Sequence, residues 1–220
     1  MQNPKRFARE LRKNLGFHPV WLPGLDISVG TVVIKDDGVY KPIDHVSSRG
    51  IAVASKPTKA IDIRFETKGV RTFASRAGGN IDTSNLKGPL EAKLSFEFSR
   101  EDSFVLNATR CRGRRMTSPL SVARAIMDTR STKWRFYRWF IVSRVYSAKQ
   151  MVFLANRSKN AMIEFSGAGS HLGNVFNGNV HASLHISKRG SMGLEILGNE
   201  GGPVVMEVFR LNKGGVIQID

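Results

Sequence analysis

Residues 89–99 read PLEAKLSFEFS, and this stretch gives the most direct indication of the fold. Apolar residues occupy every second position, namely Leu90, Ala92, Leu94, Phe96 and Phe98. Because successive side chains of a β-strand leave opposite faces of the sheet, the alternation predicts a strand with one apolar and one polar face. Such an apolar face can cover an ordinary core or meet lipid, and the periodicity does not distinguish the two.

The same alternation recurs in residues 60–67, AIDIRFET, where Ile61, Ile63 and Phe65 share one face. In the C-terminal half, further apolar segments are separated by Gly, Asn and Ser, as is typical of strands joined by turns. These patterns indicate a protein that consists mainly of strands.

Two segments carry helix signals instead. Pro4 suits the first turn of a helix that Gly16 can end. Thr117 or Ser118 can cap a second helix, which has Pro119 in its first turn and runs through LSVARAIMD. We therefore predict an α+β fold over residues 1–220, as a single domain with a twisted, largely antiparallel β-sheet, a basic N-terminal helix and a few short helices.

Four further segments have local patterns that the structure can test. We predict a strand over 27–34, a short strand over 103–110 that ends in a basic turn at 111–115 (CRGRR), a Gly-rich turn at 167–174 (GAGSHLGN) and a strand over 180–187. On the last of these, His181 and His185 would share the polar face. Without cysteines or acidic residues nearby in the sequence, they are interpreted as titratable surface histidines and not as metal ligands.

The charge of the chain is its most unusual property. Lys and Arg number 34 against 18 Asp and Glu, which gives a formal net charge of +16 with neutral histidines. Such an excess indicates an anionic partner, either nucleic acid or an anionic membrane surface. The charge alone favours neither of them.

Several classes of protein receive no support from the sequence. The single cysteine, Cys111, excludes an intrachain disulfide and fits a reducing compartment. The basic N-terminus has no apolar core of a secretory signal, so we expect the soluble protein to be cytoplasmic. No stretch approaches the roughly 18 consecutive apolar residues of a spanning helix, so a chain that crosses a bilayer must do so with strands.

Motifs of enzymatic chemistry are missing as well. The sequence contains no GxSxG, HExxH, P-loop or CxxC pattern. It gives no positive reason to expect an enzyme, and we predict no catalytic residue, no metal site and no cofactor.

Two segments combine basic with apolar or aromatic side chains. In the first helix, Phe7, Leu11 and Leu15 form a stripe between cations, which suits binding to anionic lipid headgroups or, alternatively, a docked helix with a solvated face. In WRFYRWF (134–140), arginines alternate with aromatic residues. This segment fits base stacking with phosphate contacts, an interfacial membrane anchor, or a strand entering the core.

The C-terminal half resembles a known family. The run from YRWFIVSRVY to AMIEF (137–165), followed by GNVHASLHISKRG to VVMEVFRL (178–211), resembles the end of a gasdermin pore-forming domain. The similar features are an apolar strand at 140–144, a charged hairpin at Lys149, a small-residue strand at 182–187, a basic turn at 188–191 and a closing strand at 208–211. The basic first helix followed by LGFHPVWLP is similar to the start of short bacterial gasdermins.

The resemblance implies a mechanism. A gasdermin-like protein binds anionic membrane lipids, forms a homo-oligomer on activation and inserts amphipathic β-hairpins as a large β-barrel pore in the inner (plasma) membrane. The result is cell death, including death in anti-phage defence. The amphipathic strands proposed for these hairpins are 58–68 with 89–100, and 140–153 with 162–187.

The candidate site residues follow from these segments. The lipid headgroup-binding candidates are the cations of the first helix and of the aromatic segment: Lys5, Arg6, Arg9, Arg12, Lys13, Arg135 and Arg138. The membrane-inserting candidates are apolar side chains of the amphipathic strands: Ile61, Ile63, Phe65, Leu90, Leu94, Phe96, Phe98, Ile141, Val145, Val152, Leu184 and Ile186.

Two features bear on activation and lipidation. The last residues, IQID, end in an aspartate such as a caspase-like protease would leave, so an activating caspase-like protease is a candidate partner. Bacterial gasdermins often carry an N-terminal cysteine that can be lipidated, whereas Gln2-Asn3 offers none.

Two alternatives remain open from the sequence. The charge, RCRGRR and WRFYRWF also fit a basic nucleic-acid-binding β-rich domain, whose binding would depend strongly on salt. A structural assembly protein could use the same basic surface.

Overall fold

The computed structural model describes residues 4–21, 25–129, 138–197, 201–212 and 217–219. The helices are α1 (Pro4–Leu15), α2 (Pro119–Asp128) and α3 (Gly169–Val175), with short 3₁₀-helices η1 (Val46–Arg49) and η2 (Thr83–Asn85). The strands are β1 (His18–Pro19), β2 (Thr31–Asp36), β3 (Val39–His45), β4 (Ser55–Glu66), β5 (Val70–Arg76), β6 (Gly79–Ile81), β7 (Glu91–Phe98), β8 (Phe104–Met116), β9 (Trp139–Ala148), β10 (Val152–Asn156), β11 (Ala161–Ala168), β12 (His185–Arg189), β13 (Met192–Leu197), β14 (Gly202–Leu211) and β15 (Ile217–Ile219).

The predicted fold class is confirmed. Eleven strand pairs of the described residues, among them β7 with β5 and β11, are antiparallel, and short helices accompany them. Helix α1 begins at Pro4 and is followed by Gly16, whose φ of 75° is a left-handed conformation that glycine adopts without strain. In α2 the Ser118 side chain accepts the N–H of Ser121, as predicted for one of the two candidate caps.

Contacts within the chain define two compact units. The first unit comprises 1–3, 62–110 and 148–201, and the second comprises 4–61, 111–147 and 202–220. Strands β4 and β8 contribute residues to both. The expectation that residues 1–220 act as a single pore-forming domain stays a prediction.

The first unit contains a five-stranded sheet in the order β12-β11-β7-β5-β6. Its central strand is β7, whose alternation was predicted from the sequence. Leu94, Phe96 and Phe98 are fully buried, whereas Lys93 is exposed, so the predicted apolar and polar faces are confirmed. Ser95 is the exception, because it lies between Phe73 and Glu164 of the neighbouring strands and is buried on the polar face.

The apolar face of β7 is covered within the first unit. Its phenylalanines share one core with apolar residues of β10, β11 and α3, namely Val152, Leu154, Ile163, Phe165, Leu172 and Val175. In the same unit, β10 pairs with β8 and β13. The rings of Phe104 and Phe153 stack there with centroids 6.1 Å apart. The continuous apolar run in β10 is therefore buried on both faces.

The second unit is built around strands β2, β3, β9 and β14. β2 pairs with β3 and β9, and β14 pairs with β1 and β15. Tyr40 lies at the centre of the core, with its ring edge-on to His18 at 4.8 Å and to Phe140 at 5.1 Å. Phe7 of α1 contacts Trp21 at 5.7 Å, which fixes the helix to its own unit.

Two predictions of local structure, one of a strand and one of a turn, are wrong. The predicted strand over 27–34 begins only at Thr31, because residues 28–31 form a turn in which Thr31 Oγ1 accepts the N–H of Ser28 at 3.0 Å. The predicted strand over 103–110 is present as the start of β8, but the predicted basic turn at 111–115 is a continuation of the same strand to Met116. There Cys111 and Gly113 are buried, and Arg112 and Arg114 pair with β9 at Ser147 and Val145.

The predicted Gly-rich turn at 167–174 is instead the end of β11 followed, from Gly169, by helix α3. A Cβ at Gly173 would lie 2.8 Å from the carbonyl oxygen of Leu86, so the glycine allows the helix to approach the loop before β7. The predicted strand over 180–187 is also wrong in its first half, since β12 begins at His185. Residues 181–184 form a turn closed by the Leu184 N–H, which donates to the His181 carbonyl at 3.0 Å, so His181 and His185 do not share a strand face.

Candidate functional site

Helix α1 presents charge to solvent and keeps its apolar stripe inside. Phe7 and Leu11 are buried, whereas four of the five predicted cations, Lys5, Arg9, Arg12 and Lys13, are exposed. The fifth, Arg6, is half-buried and forms an ion pair with Glu10 at 3.0 Å. The geometry is that of the docked helix, so a membrane surface would meet its cations and not its apolar stripe.

The hairpin beside α1 adds some negative charge to this surface. Gly38 in the β2–β3 turn lies against Lys5, since a Cβ there would be 2.8 Å from the Lys5 Cγ atom. The neighbouring Asp36 is paired with Lys41, and the hydrogen bond from the Lys41 ammonium group lowers the pKa of that carboxyl. The Asp36 carboxylate is thus matched by its own cation, whereas Asp37 in the same turn is a second exposed carboxylate near the cations of α1.

The aromatic segment is described only at its end. Arg135 lies outside the described residues, and Arg138 is exposed. Trp139 is half-buried against the core of the second unit, with the Arg49 guanidinium 4.7 Å from its ring centroid, and Phe140 is buried. These two aromatic residues therefore behave as a strand entering the core, which was one of the three interpretations.

A second basic surface, which we call the β4–β8 stripe, was not among the predicted lipid-binding residues. It consists of Lys59 on β4 with Arg112 and Arg114 on β8, all of them exposed. Arg114 is held in place by hydrogen bonds to the Ser55 hydroxyl at 3.0 and 3.1 Å. The segments 55–61 and 111–116 contain no acidic residue, so these cations have no carboxylate on their own strand segments.

The sequence analysis does not find the stripe, because it assigns CRGRR (111–115) to a turn. Small residues, Cys111 and Gly113, alternate there with arginines. This period-2 signal would have predicted a strand with a basic face. Like charges on neighbouring strands repel one another, so the stripe is stabilised by any bound polyanion.

Six of the predicted membrane-inserting residues lie in one core. The core of the first unit includes Leu94, Phe96, Phe98, Val152 and Leu184, and Ile186 packs against it. Leu90 is different, because it precedes β7 and its side chain is 65% exposed. The structure therefore places Leu90 at the surface and the other six in protein contact.

The other predicted residues are distributed elsewhere. Ile63 and Phe65 are buried at the C-terminal end of β4, and Ile61 is half-buried. Ile141 and Val145 belong to the core of the second unit. The predicted residues thus lie on the apolar faces of several strands and do not form one common surface.

The candidate hairpin partners are not paired with each other in this structure. β4 pairs with β8, whereas β7 pairs with β5 and β11. Likewise β9 pairs with β2 and β8, and β11 pairs with β7 and β12. An inserted state with the candidate hairpins would require new strand pairings.

The opposite face of the five-stranded sheet is polar. One register row carries Arg71, Glu97, Met162 and Arg189 on four adjacent strands, and these side chains line an open groove of about 450 Å³. A second row contains Lys93, which pairs with Glu164 at 3.0 Å. The sheet therefore has one charged and one apolar face, the property required of strands that separate water from lipid.

The described residues give no sign of a metal centre or of a spanning helix. No group of three or more His, Cys, Asp or Glu side chains within these ranges is placed to hold a metal ion. Among the helices of the same ranges, none is long and apolar enough to cross a membrane.

No protein-family model and no curated protein sequence matches this chain. In structure, the chain is similar to the Gasdermin A3 membrane pore solved by cryo-EM, with 8% identity, a TM-score of 0.39, and coverage of 100% of this chain and 95% of that one. It is also similar to a bacterial gasdermin from Bradyrhizobium tropiciagri, with 13% identity, a TM-score of 0.43, and coverage of 94% and 88%.

Proposed function

We propose that this protein is a membrane pore former, which binds anionic lipid, assembles with copies of itself and inserts amphipathic strands as a β-barrel. The observation that carries the proposal is the two-faced character of β7. Leu94, Phe96 and Phe98 form one continuous apolar face, and Lys93 and Glu97 lie on the other. This strand can exchange protein neighbours for acyl chains without exposing a charge to them.

The length of the strand supports the proposal. The eleven residues 90–100 would extend over about 37 Å as a continuous strand. Tilted by about 45°, such a strand covers about 26 Å along the membrane normal, close to the apolar band of known barrels. A single strand of this length is therefore sufficient to cross the hydrocarbon.

Assembly follows from the same physics. A strand edge that is open in hydrocarbon leaves unpaired N–H and C=O groups, each of which costs several kcal/mol. One copy of the chain offers only the four candidate strands, and closure of a large barrel therefore requires further copies.

Lipid binding is assigned to the basic surfaces. The proposed contacts are the predicted cations of α1 with Arg135 and Arg138, together with the β4–β8 stripe. Each Lys or Arg near an anionic leaflet contributes about 1 kcal/mol, and the attraction weakens as salt rises. Binding is therefore expected to depend on both anionic lipid and ionic strength.

The biological setting is part of the proposal and rests on the sequence resemblance. The protein would be cytoplasmic while soluble and would assemble in the inner (plasma) membrane. Pore formation there would kill the cell, as in anti-phage defence. Release by a caspase-like protease is the proposed activation step.

The test is dye leakage from liposomes. We expect leakage from vesicles that contain anionic lipid, little leakage from zwitterionic ones, and rings or arcs in negative-stain images of the leaky samples. Anionic vesicles that stay tight at high protein dose would contradict the proposal.

A second candidate function, nucleic-acid binding, is favoured by the exposed arginines of the β4–β8 stripe. It predicts binding to DNA or RNA whose log affinity falls linearly with log salt concentration. Replacing Arg112 and Arg114 by Gln would reduce that slope by about two units. Fluorescence anisotropy with a labelled oligonucleotide measures the slope, and salt-dependent binding without vesicle leakage would favour this candidate.

A further inference from the structure

Helix α3 has little stability of its own. Its seven residues, GSHLGNV, include two glycines, which disfavour a helix. The residue before it is Ala168, whose side chain cannot accept a hydrogen bond from the first turn. Isolated helices of this length are marginal at best in water. Contacts with other parts of the first unit must therefore hold α3 in its helical form.

The loop before β7 supplies some of these contacts. We call its residues 85–90 the clasp loop. The Gly169 N–H donates to the Leu90 carbonyl oxygen over 2.9–3.0 Å, and the Ser170 N–H donates to the Gly88 carbonyl oxygen over 2.9 Å. Carbonyl groups of the clasp loop thus satisfy the first N–H groups of α3, which a capping side chain would otherwise satisfy.

Arg76, at the end of β5, holds the clasp loop in turn. Its Nη2 atom donates to the carbonyl oxygen of Asn85 at 3.1 Å and to that of Lys87 at 2.8 Å. The same atom lies against the start of α3, since a Cβ at Gly169 would be 2.8 Å from it. One guanidinium group therefore contacts both the loop and the helix.

The hydrogen bonding of Arg76 is incomplete. Its Nε atom is buried and has no hydrogen-bond partner among the residues that the structure describes. A buried donor without an acceptor is unfavourable, and hydration would remove that penalty. Hydration of Nε therefore offsets part of the cost of releasing Arg76 from the clasp loop.

The clasp loop and α3 together cover the apolar face of β7. Leu172 and Val175 of α3 belong to the same core as Phe96 of β7, and so does Leu86 of the clasp loop. Directly after the helix, the ring of Phe176 lies 6.2 Å from that of Phe96, measured between centroids. Displacement of α3 would therefore expose apolar side chains of β7.

The segment around α3 is free of strongly charged side chains. From Phe165 to Ser187, 23 consecutive residues include no Asp, Glu, Lys or Arg, in a chain in which these types make up 24%. Ionised side chains are costly in hydrocarbon, so a segment without them enters a bilayer more easily. The segment lies within 162–187, one of the candidate inserting segments.

We propose that Arg76 and the clasp loop keep α3 folded over β7, and that this clasp limits the rate of insertion. Arg76 is a positioning residue, because it acts through the loop and the helix. Opening of α3 precedes insertion, since β7 has to lose its cover before its apolar face meets lipid. That consequence rests on the proposed pore-forming function, whereas the clasp itself does not.

Hydrogen exchange of the full chain in solution tests the clasp without any membrane. Arg76→Met removes the donors and keeps a long, unbranched side chain. We expect the amides of α3 to exchange about tenfold faster in this variant, because two carbonyl groups of the clasp loop lose their donor. The amides of β7 that pair with β5 and β11 should keep their protection, which shows that the first unit stays folded.

Two variants serve as controls for lost charge and for lost stability. Arg71→Met makes the same substitution at an exposed position of the same strand. Asn156→Ala removes another side chain of the first unit that donates to two carbonyl oxygens, those of Arg100 and Ser158, each at 2.7 Å. Both controls should leave the exchange of α3 unchanged.

Three results of the exchange experiment would overturn the clasp. The first is unchanged exchange of α3 in Arg76→Met, and the second is equal acceleration in Arg76→Met and Asn156→Ala. The third is loss of protection throughout the first unit in Arg76→Met, since Arg76 would then stabilise the whole unit and not α3 in particular.

Leakage of anionic liposomes tests the link to insertion. At equal amounts of vesicle-bound protein, Arg76→Met should release dye up to about tenfold faster than Arg71→Met, in proportion to the opening of α3. A residue that only stabilises the fold would not accelerate leakage when it is removed. Equal rates in the two variants would overturn the link to insertion. Faster exchange of α3 with intact vesicles for every variant would refute the proposed pore and leave the clasp in place.

Discussion

Strands β7 and β4 carry similar alternating patterns and use them differently. In β7, Leu94, Phe96 and Phe98 are all fully buried. In β4, only the C-terminal pair, Ile63 and Phe65, is buried, whereas residues 55–60 are exposed or half-buried and Ile61 is half-buried. The pattern of side chains along the strand is therefore not sufficient to fix burial.

The difference arises from what covers each strand. β7 lies between β5 and β11, and its apolar face is covered by residues of α3 and β10. The first half of β4 is rich in Lys and Pro and forms part of the basic stripe. It follows that β7 must lose its cover before it meets lipid, whereas the start of β4 already faces solvent. Four measurements test this contrast.

The largest effect is expected for a charge in the covered strand. Phe96→Asp places a carboxylate among Phe165, Phe176 and their neighbours, at a fully buried position. Burial of an unpaired charge costs more than about 4 kcal/mol, so the first unit should unfold. Circular dichroism and urea denaturation measure whether the variant folds and how stable it is. A stable, folded variant would show that the side chains packed on β7 leave space for a carboxylate.

The next-largest loss of stability is expected for Ile63, one of two isoleucines of β4 that differ in burial. Ile63→Ala should lower the free energy of unfolding by about 2–4 kcal/mol, because Ile63 is buried. Ile61→Ala should lower it by about half as much, since its side chain is only half-buried. Urea denaturation of both variants provides the comparison, and equal losses would contradict the graded burial of β4.

A smaller effect on stability, but a clear one on leakage, is expected at Leu90. Its side chain is 65% exposed, so Leu90→Asp should change stability by less than about 0.5 kcal/mol. On the proposed function it lies at the end of an inserting strand, where a charge costs up to about 1 kcal/mol, and leakage should fall up to about fivefold.

Leu120 on α2 supplies the control for this variant. It is 59% exposed and lies outside the candidate inserting strands, so Leu120→Asp should leave leakage unchanged. A similar loss of leakage in both variants would argue against a specific role for Leu90.

The smallest effect is expected on the polar face of β7. Lys93→Ala removes the ion pair with Glu164, in which the lysine is well exposed, and should cost no more than about 1 kcal/mol. Thermal denaturation at low and high salt measures it, and the cost should shrink at high salt. A large, salt-independent loss would mean that this face is covered as well.

Much of the fold was predictable from local signals. Pro4 and Gly16 bound the first helix, Ser118 and Pro119 start the second, and the alternation of β7 and β4 identifies their faces. These signals depend on backbone conformation and on hydrogen bonds between residues close in sequence, so they do not need the rest of the fold.

The errors occurred where a distant part of the chain decides the structure. Gly173 lies where α3 approaches the carbonyl of Leu86, and CRGRR is a strand because Arg112 and Arg114 pair with β9. The stacking of His171 on His181 joins a helix to a turn ten residues later. No local propensity reports such contacts.

The same distinction between local signals and distant contacts applies to the candidate site. The sequence by itself determined the net charge, the basic face of α1 and which side chains of β7 share an apolar face, because these depend on composition and on the geometry of one helix or strand. Only the tertiary structure decided that Leu94 and Phe96 are covered, that Leu90 is exposed, and that Lys59 and Arg112 lie on neighbouring strands. Burial and pairing are properties of contacts between segments, and those contacts form only when the whole chain folds.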